Sequence, residues 1–209
     1  MIVSPAVEAY LAGLVPKPDP VLAEMQEHGR RDGIPIVQPP TGMLLEVLAA
    51  ATGARRAVEV GTAIGVSTLH LARAGAHVTS FEVDPERHAA ARDYLGRAGL
   101  ADRVDLRLQD ASEGLAQLEG AFDLGFIDGP KNLYGEHLER VVGLLRAGGL
   151  LLVDNVLISG AAATQEPVGP WDAQRIEEMR AFNARLVGHP ELRTTLTPVG
   201  DGVALSVRQ

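Results

Sequence analysis

The chain has 209 residues, a formal net charge of −8, 46% hydrophobic and 22% charged residues, and no cysteine. This length fits one domain with a sizeable core. The acidic balance argues against a nucleic-acid partner, which needs clustered Lys and Arg. The missing cysteine excludes disulfides, zinc–thiolate sites and cysteine nucleophiles.

No stretch approaches the roughly 18 apolar residues of a membrane helix. No basic-then-apolar leader opens the sequence. A cytoplasmic protein with no membrane partner is therefore expected. Residues 1–15 and 19–33 have helix-like apolar spacing, with Ser4 and Asp19 as caps. Pro35, Pro39 and Pro40 predict a stiff extended connector. Residues 43–53 read as a helix closing at Gly53. The expected organisation is one domain over 1–209, with a helical cap segment (1–42) on a core (43–209).

Short apolar runs then alternate with helical stretches. AVEV (57–60), HVTSFEV (77–83), RVDLRL (103–108), FDLGFI (122–127) and GLLLVD (149–154) read as strands. Five strands with helical crossovers predict an α/β fold with a doubly wound, Rossmann-like parallel sheet. Their near-continuous apolar character suits burial on both faces. After residues 159–170, a helix opens at Trp171. The runs ELRTTLTPV and GVALSVR, either side of Gly200-Asp201-Gly202, predict an antiparallel hairpin.

The first strand ends in Glu59-Val60-Gly61 and the next helix starts near Gly65. Glycine there allows a tight turn and close backbone approach to a ligand. The pattern lacks the extra glycine of a dinucleotide fingerprint. Glu59 places negative charge where a phosphate would sit, so a ligand with a cationic centre or an amine fits better. A ligand-free βα turn would have the same glycines. Glu82, at the end of the second strand, stands where ribose hydroxyls are held in nucleoside-binding α/β folds. Asp84 before Pro85 reads as a helix cap. Asp110 either meets an adenine amine or caps the next helix.

Two strand ends carry oxygen donors: FDLGFIDGPK reaches Asp128 and Lys131, and LLLVDNV reaches Asp154 and Asn155. If those strands are neighbours, Asp128, Asp154 and Asn155 converge, and three hard oxygen donors suit Mg²⁺ or, failing that, Mn²⁺ or Ca²⁺. Taken singly, Lys131 reads as a solvated helix lysine and Asp154-Asn155 as a turn. Tyr134 reads as core, His137 as a surface residue, and Trp171 as a pocket or packing residue.

Together VEVGTAIGVS, FEVD, QDA, FIDGPK and VDNV resemble the class I S-adenosylmethionine-dependent methyltransferases. Within them, the chain resembles the cation-dependent catechol and caffeoyl-coenzyme A O-methyltransferases from about Pro35 onward. The resemblance implies a seven-stranded sheet with its last strand antiparallel. It implies S-adenosylmethionine bound through Val37, Glu59, Gly61, Ser67, Glu82, Asp110, Ala111 and Asp128. It implies a divalent cation on Asp128, Asp154 and Asn155, with Lys131 as catalytic base. It also implies a small hydroxylated acceptor, catecholic or phenolic, and a homodimer. Two departures stand out: Gly129-Pro130 replaces the Ala-Asp of many bacterial relatives, and Thr194-Thr195 stands where the catechol enzyme has an extra carboxylate.

The chemistry implied is in-line displacement from a sulfonium, largely a matter of positioning. A cation chelated by a vicinal diol would fix that geometry and acidify the hydroxyl. Lys131 is spaced to take the proton. A nicotinamide-dependent oxidoreductase on the same sheet, and a cofactor-binding module without chemistry, are the competing readings.

Overall fold

The computed structural model describes residues 4–209. The part of the first predicted helix that falls on residues 1–3 lies outside them. Helices α1 (Pro5–Leu14), α2 (Pro20–Asp32) and α3 (Pro39–Ala51) precede the sheet. Asp19 caps α2 as expected, its Oδ1 accepting the Val21 and Leu22 amides at 3.0 and 3.3 Å. The connector is shorter than predicted. Pro39 and Pro40 open α3, because a proline in the first turn has no hydrogen bond to lose. The boundary placed at residue 42 therefore falls inside a helix.

The core alternates as β1 (Arg56–Val60), α4 (Val66–Arg73), β2 (His77–Glu82), α5 (Pro85–Arg97), β3 (Val104–Leu108), α6 (Ala111–Ala116), β4 (Phe122–Ile127), α7 (Tyr134–Leu144) and β5 (Leu145–Val153). Then follow α8 (Ala161–Thr164), α9 (Ala173–Val187), β6 (Leu192–Thr197) and β7 (Val203–Arg208). Strand β5 starts four residues before the predicted apolar run, at Leu145.

Among the described residues, seven strands form one sheet in the order β3-β2-β1-β4-β5-β7-β6. The first five are parallel, and β7 runs antiparallel to both β5 and β6. The predicted hairpin is thus the β6–β7 pair. Apolar side chains pack on both faces. One cluster joins the sheet to α2–α5 through Met25, Leu45, Leu69 and Leu95, and the other joins it to α6–α9 through Leu115, Leu138, Val141 and Phe182.

This topology positions the site. The strand order reverses between β1 and β4, and ligands of open α/β sheets sit outside the carboxyl ends of the strands at that point. No described helix is long and apolar enough to cross a membrane.

Candidate active site

A cavity of about 600 Å³ opens at that reversal point. Gly61, Glu82, Asp110, Ala111, Asp128, Lys131, Asp154 and Asn155 all line it. Eight of the residues singled out in the sequence therefore meet in one place.

The β1 end forms its floor. Gly61 has φ +94°, and a Cβ there would collide with the Asp128 carbonyl oxygen, so glycine lets the two strand ends touch. Glu59 lies beneath this turn, fully buried. Its Oε2 accepts from the hydroxyls of Ser80, at 2.6 Å, and Thr68. Its Oε1 has no partner of normal geometry. Burial pushes the carboxyl up from 4.5 to about 7, against the opposing pull of the Ser67, Ser80 and Thr68 hydroxyls. Ser67 is also buried, in the first turn of α4.

Glu82 is fixed at the wall. Its Oε2 accepts from the Ala63 amide at 2.8 Å, and its Oε1 from Val83 and Asp84 at 2.8 and 2.9 Å. Asp84 caps α5. Asp110 caps α6, with Oδ1 accepting from Ser112 at 2.8 Å and Glu113 at 3.3 Å, while also facing the cavity. Val37 points into the core, and its neighbours Ile36 and Gln38 line the cavity instead.

The second half comes from β4 and β5. Their register pairs Ile127 with Val153, so Asp128 and Asp154 are next in line on adjacent strands. The Lys131 ammonium bridges the set, donating to Asp128 Oδ1 at 3.0 Å and Asn155 Oδ1 at 2.6 Å. It also donates to the Tyr134 hydroxyl at 2.7 Å. Tyr134 in turn donates to the Asp154 carbonyl at 3.1 Å. Asp154 Oδ1 accepts from the Asn155 amide at 2.7 Å. Asn155 has φ +60°, a left-handed conformation that asparagine tolerates better than most residues.

The electrostatics follow from burial. Asp154 is pushed from 3.8 up to about 7, by burial first and by the Asp128 charge second. The Tyr134 phenol is raised well above its usual value by burial and by Asp128, Asp154 and Asp201, so it stays a donor. The Asp128 charge opposes ionisation of Asp154, and the Lys131 ammonium bridges Asp128 to the Asn155 amide oxygen, so the set favours positive charge. Among the described residues, no group of three or more His, Cys, Asp or Glu is arranged to hold a metal. The set here is two carboxylates and an amide, all oxygen donors, which is the chemistry a hard cation takes.

The sequence matches the O-methyltransferase family over residues 17–209. The chain belongs to that family. It is 35% identical over 181 residues to tricin synthase 2 of Oryza sativa subsp. japonica, matching 81% of this chain, which spans 62% of that relative's length. It is 33% identical over 216 residues to a catechol O-methyltransferase of Niastella koreensis, covering 97% of this chain and 96% of that one. Among solved structures, the O-methyltransferase from Bacillus cereus in complex with SAH superposes with a TM-score of 0.84 at 28% identity, covering 98% and 97% of the two chains. The resemblance read from the motifs and the fold it implied are both borne out.

Four residues that line the cavity or bond to its lining escaped the sequence reading or were misread. Tyr134 is core through its ring, which packs edge-on against Phe182, yet its hydroxyl belongs to the site. His137 is buried, not on the surface, with Nε2 3.2 Å from Ser112 Oγ and Nδ1 unpartnered. Burial lowers its pKa, so the ring is neutral. The signal was available, since 134, 137, 138, 141 and 142 form one helical stripe. Asp201 and Gln38 line the cavity from a turn and a connector, where no periodicity marks them. Trp171 both lines the cavity and packs on the core.

Proposed function

We propose that the protein transfers a methyl group from S-adenosylmethionine to a hydroxyl of a small catecholic or phenolic acceptor, with a divalent cation on Asp128, Asp154 and Asn155 and with Lys131 as base. The observation that carries this reading is the convergence of Lys131 Nζ on Asp128, Asn155 and Tyr134, within 3.0 Å of each. The cofactor assignment is supported by family membership and by the SAH held in the Bacillus cereus relative.

Bound S-adenosylmethionine would supply an electrophilic methyl group on a sulfonium. Gly61 and Glu82 would hold its methionine and ribose parts, and Ala111 would flank its adenine. The cationic end of such a ligand, placed over Gly61, would draw the buried Glu59 carboxyl into its ionised form. A bound divalent cation would orient two acceptor oxygens and acidify the one that reacts. Asp128 and Asp154 would give that ion its charge and Asn155 a neutral oxygen. Lys131, beside Tyr134, would take the hydroxyl proton as the neutral amine, help typically worth about 10²–10⁴ in rate. Its own proton would first have left to solvent, its place on Asp128 and Asn155 being taken by the cation.

The test is transfer of labelled methyl from S-adenosylmethionine to catechol with Mg²⁺, with and without EDTA, in the wild type and in Asp154→Ala. Loss of transfer on chelation and in the variant, with SAH binding by calorimetry retained, is expected. Transfer that survives complete chelation would remove the cation from the mechanism. Binding of NAD in preference to SAH would favour the oxidoreductase reading.

A further inference from the structure

A second cavity of about 480 Å³ lies beside the first. Leu11 of α1, Leu22 of α2, Met43 of α3, Val15 in the linker, and Pro198 and Val199 before β7 all line it. Among the described residues of the lining, Lys17 is the one charged side chain. The His70 ring, also in the lining, is tied through Nδ1 to Glu46 at 2.7 Å and kept neutral by burial. Such a lining favours hydrocarbon over polar groups.

The two cavities are neighbours with a thin partition between them. Gln38 lines both. In the turn before β7, Gly200 lines one cavity and Asp201, the next residue, lines the other. The Gln38 side chain is exposed and makes no capping hydrogen bond to α3, so moving it breaks no cap. Thr41 Oγ1, packed against Gly200, is buried with no hydrogen-bond partner. The Gln38 side of the partition is therefore held by contact, whereas the turn at Asp201 is pinned by the Leu157 amide, which donates to the Asp201 carbonyl at 3.1 Å, and by the Ser159 amide, which donates to its Oδ1.

We propose that this second cavity receives an apolar arm of the acceptor, so that the preferred substrates are ring hydroxyl compounds extended by a hydrocarbon group. This rests on the reading of the first cavity as the methyl-transfer site. A volume of about 480 Å³ lies within the range of ligand pockets on its own account. Each methylene that enters it should raise kcat/KM by about fourfold. The arm lies far from the reacting oxygen and is bound equally in ground and transition states. Its effect therefore falls on KM and leaves kcat nearly constant.

The experiment is a series of catechol and its 4-ethyl, 4-butyl and 4-hexyl derivatives, measured with Mg²⁺ and S-adenosylmethionine. It is repeated in Met43→Trp, which fills the cavity from α3, and in Leu11→Trp, which fills it from the exposed side of α1. SAH affinity checks the fold of each variant. The expected result is a KM that falls steeply with chain length in the wild type, with the slope lost in a folded filled variant. A flat series, or a slope that persists in both filled variants, overturns the proposal. Calorimetry of the same compounds in the presence of SAH separates the two readings. No turnover of any catechol, with affinity still climbing along the series, sinks the methyl-transfer reading and leaves the arm site standing. Affinity independent of chain length sinks the arm site.

Discussion

Replacing Glu59 by glutamine should stabilise the ligand-free protein above neutral pH and leave it unchanged in acid. Glu59 is fully buried and its carboxyl titrates near 7 in the folded chain against 4.5 for the free side chain. Between those values the native state keeps a proton that the unfolded chain has released. Stability therefore falls as pH rises through that window, by on the order of 3 kcal/mol for this group. Below the window both states are protonated and nothing is lost. Glutamine keeps the volume and leaves an acceptor oxygen for the Ser80 and Thr68 hydroxyls. Asp154, raised from 3.8 to about 7, acts in the same sense, whereas His70 and His137, lowered by burial, make stability fall as pH drops. The readout is accordingly the difference between variant and wild type, which cancels those groups. Urea unfolding from about pH 3.5 to pH 8 should show a difference near zero at the acid end, growing to a few kcal/mol at the other. A difference that does not vary with pH, or a variant less stable at pH 8, would refute the reasoning. A ligand amine above Gly61 would hold Glu59 ionised. SAH should then stabilise the wild type more than the variant at pH 8.

Three further outcomes are expected. Lys131→Ala should lower kcat by about 10²–10⁴, with SAH affinity retained. Its Mg²⁺ affinity by calorimetry should rise, because the ammonium that competes for Asp128 and Asn155 is gone; weaker metal binding would make Lys131 part of the ion's support. Tyr134→Phe keeps the ring on Phe182 but leaves the Asp154 carbonyl without its donor. It should cost about 1–3 kcal/mol in urea unfolding, and unchanged stability would show that the hydroxyl holds nothing. Gly61→Ala adds strain at φ +94° and a collision with the Asp128 carbonyl. SAH and Mg²⁺ affinities should fall together, and loss of only one would uncouple the two strand ends.

The fold was legible where one physical rule governed a segment. Buried parallel strands read as apolar runs because both faces are covered, and the runs at 57–60 and 122–127 fall within β1 and β4. The rule failed at β5, where the buried Leu145 is cut off from the apolar run by Arg146, Ala147 and Gly148, which are exposed and so carry no apolar signal. It failed again at Pro39, where proline reads equally as connector or first turn until the packing of α3 on α4 is known. The site was legible through residues that close a strand, since strand ends gather at one edge of a parallel sheet. Tyr134, Asp201 and Gln38 do not close strands. Their place depends on which elements become neighbours, and that is a property of the sheet order and not of any local run. Glu59 was legible as an unusual charge, but only its complete burial beneath the β1 turn, which the Ser80 and Thr68 hydroxyls offset in part, makes that charge pH-dependent in its cost.

The sheet order would also let the proposed cofactor and cation share one cavity. The turns after β1, β2 and β3 supply Gly61, Glu82, Asp110 and Ala111 on one side of the reversal point. The ends of β4 and β5 supply Asp128, Lys131, Asp154 and Asn155 on the other. The seam between these halves is the β1–β4 pair, where the Asp128 amide donates to the Val60 carbonyl at 2.9 Å. Asp128 therefore faces both halves. A methyl group passing from one to the other needs donor and acceptor aligned to a few tenths of an ångström, and misplacement by about 1 Å can cost 10²-fold. Continuous parallel hydrogen bonding across β1, β4 and β5 gives that rigidity, which loops alone would not. Gln38, Trp171 and the turn at Asp201, which would close the acceptor side in the proposed reading, line the cavity from outside the parallel ladder. Substrate choice can therefore change in those segments without disturbing the alignment at the seam.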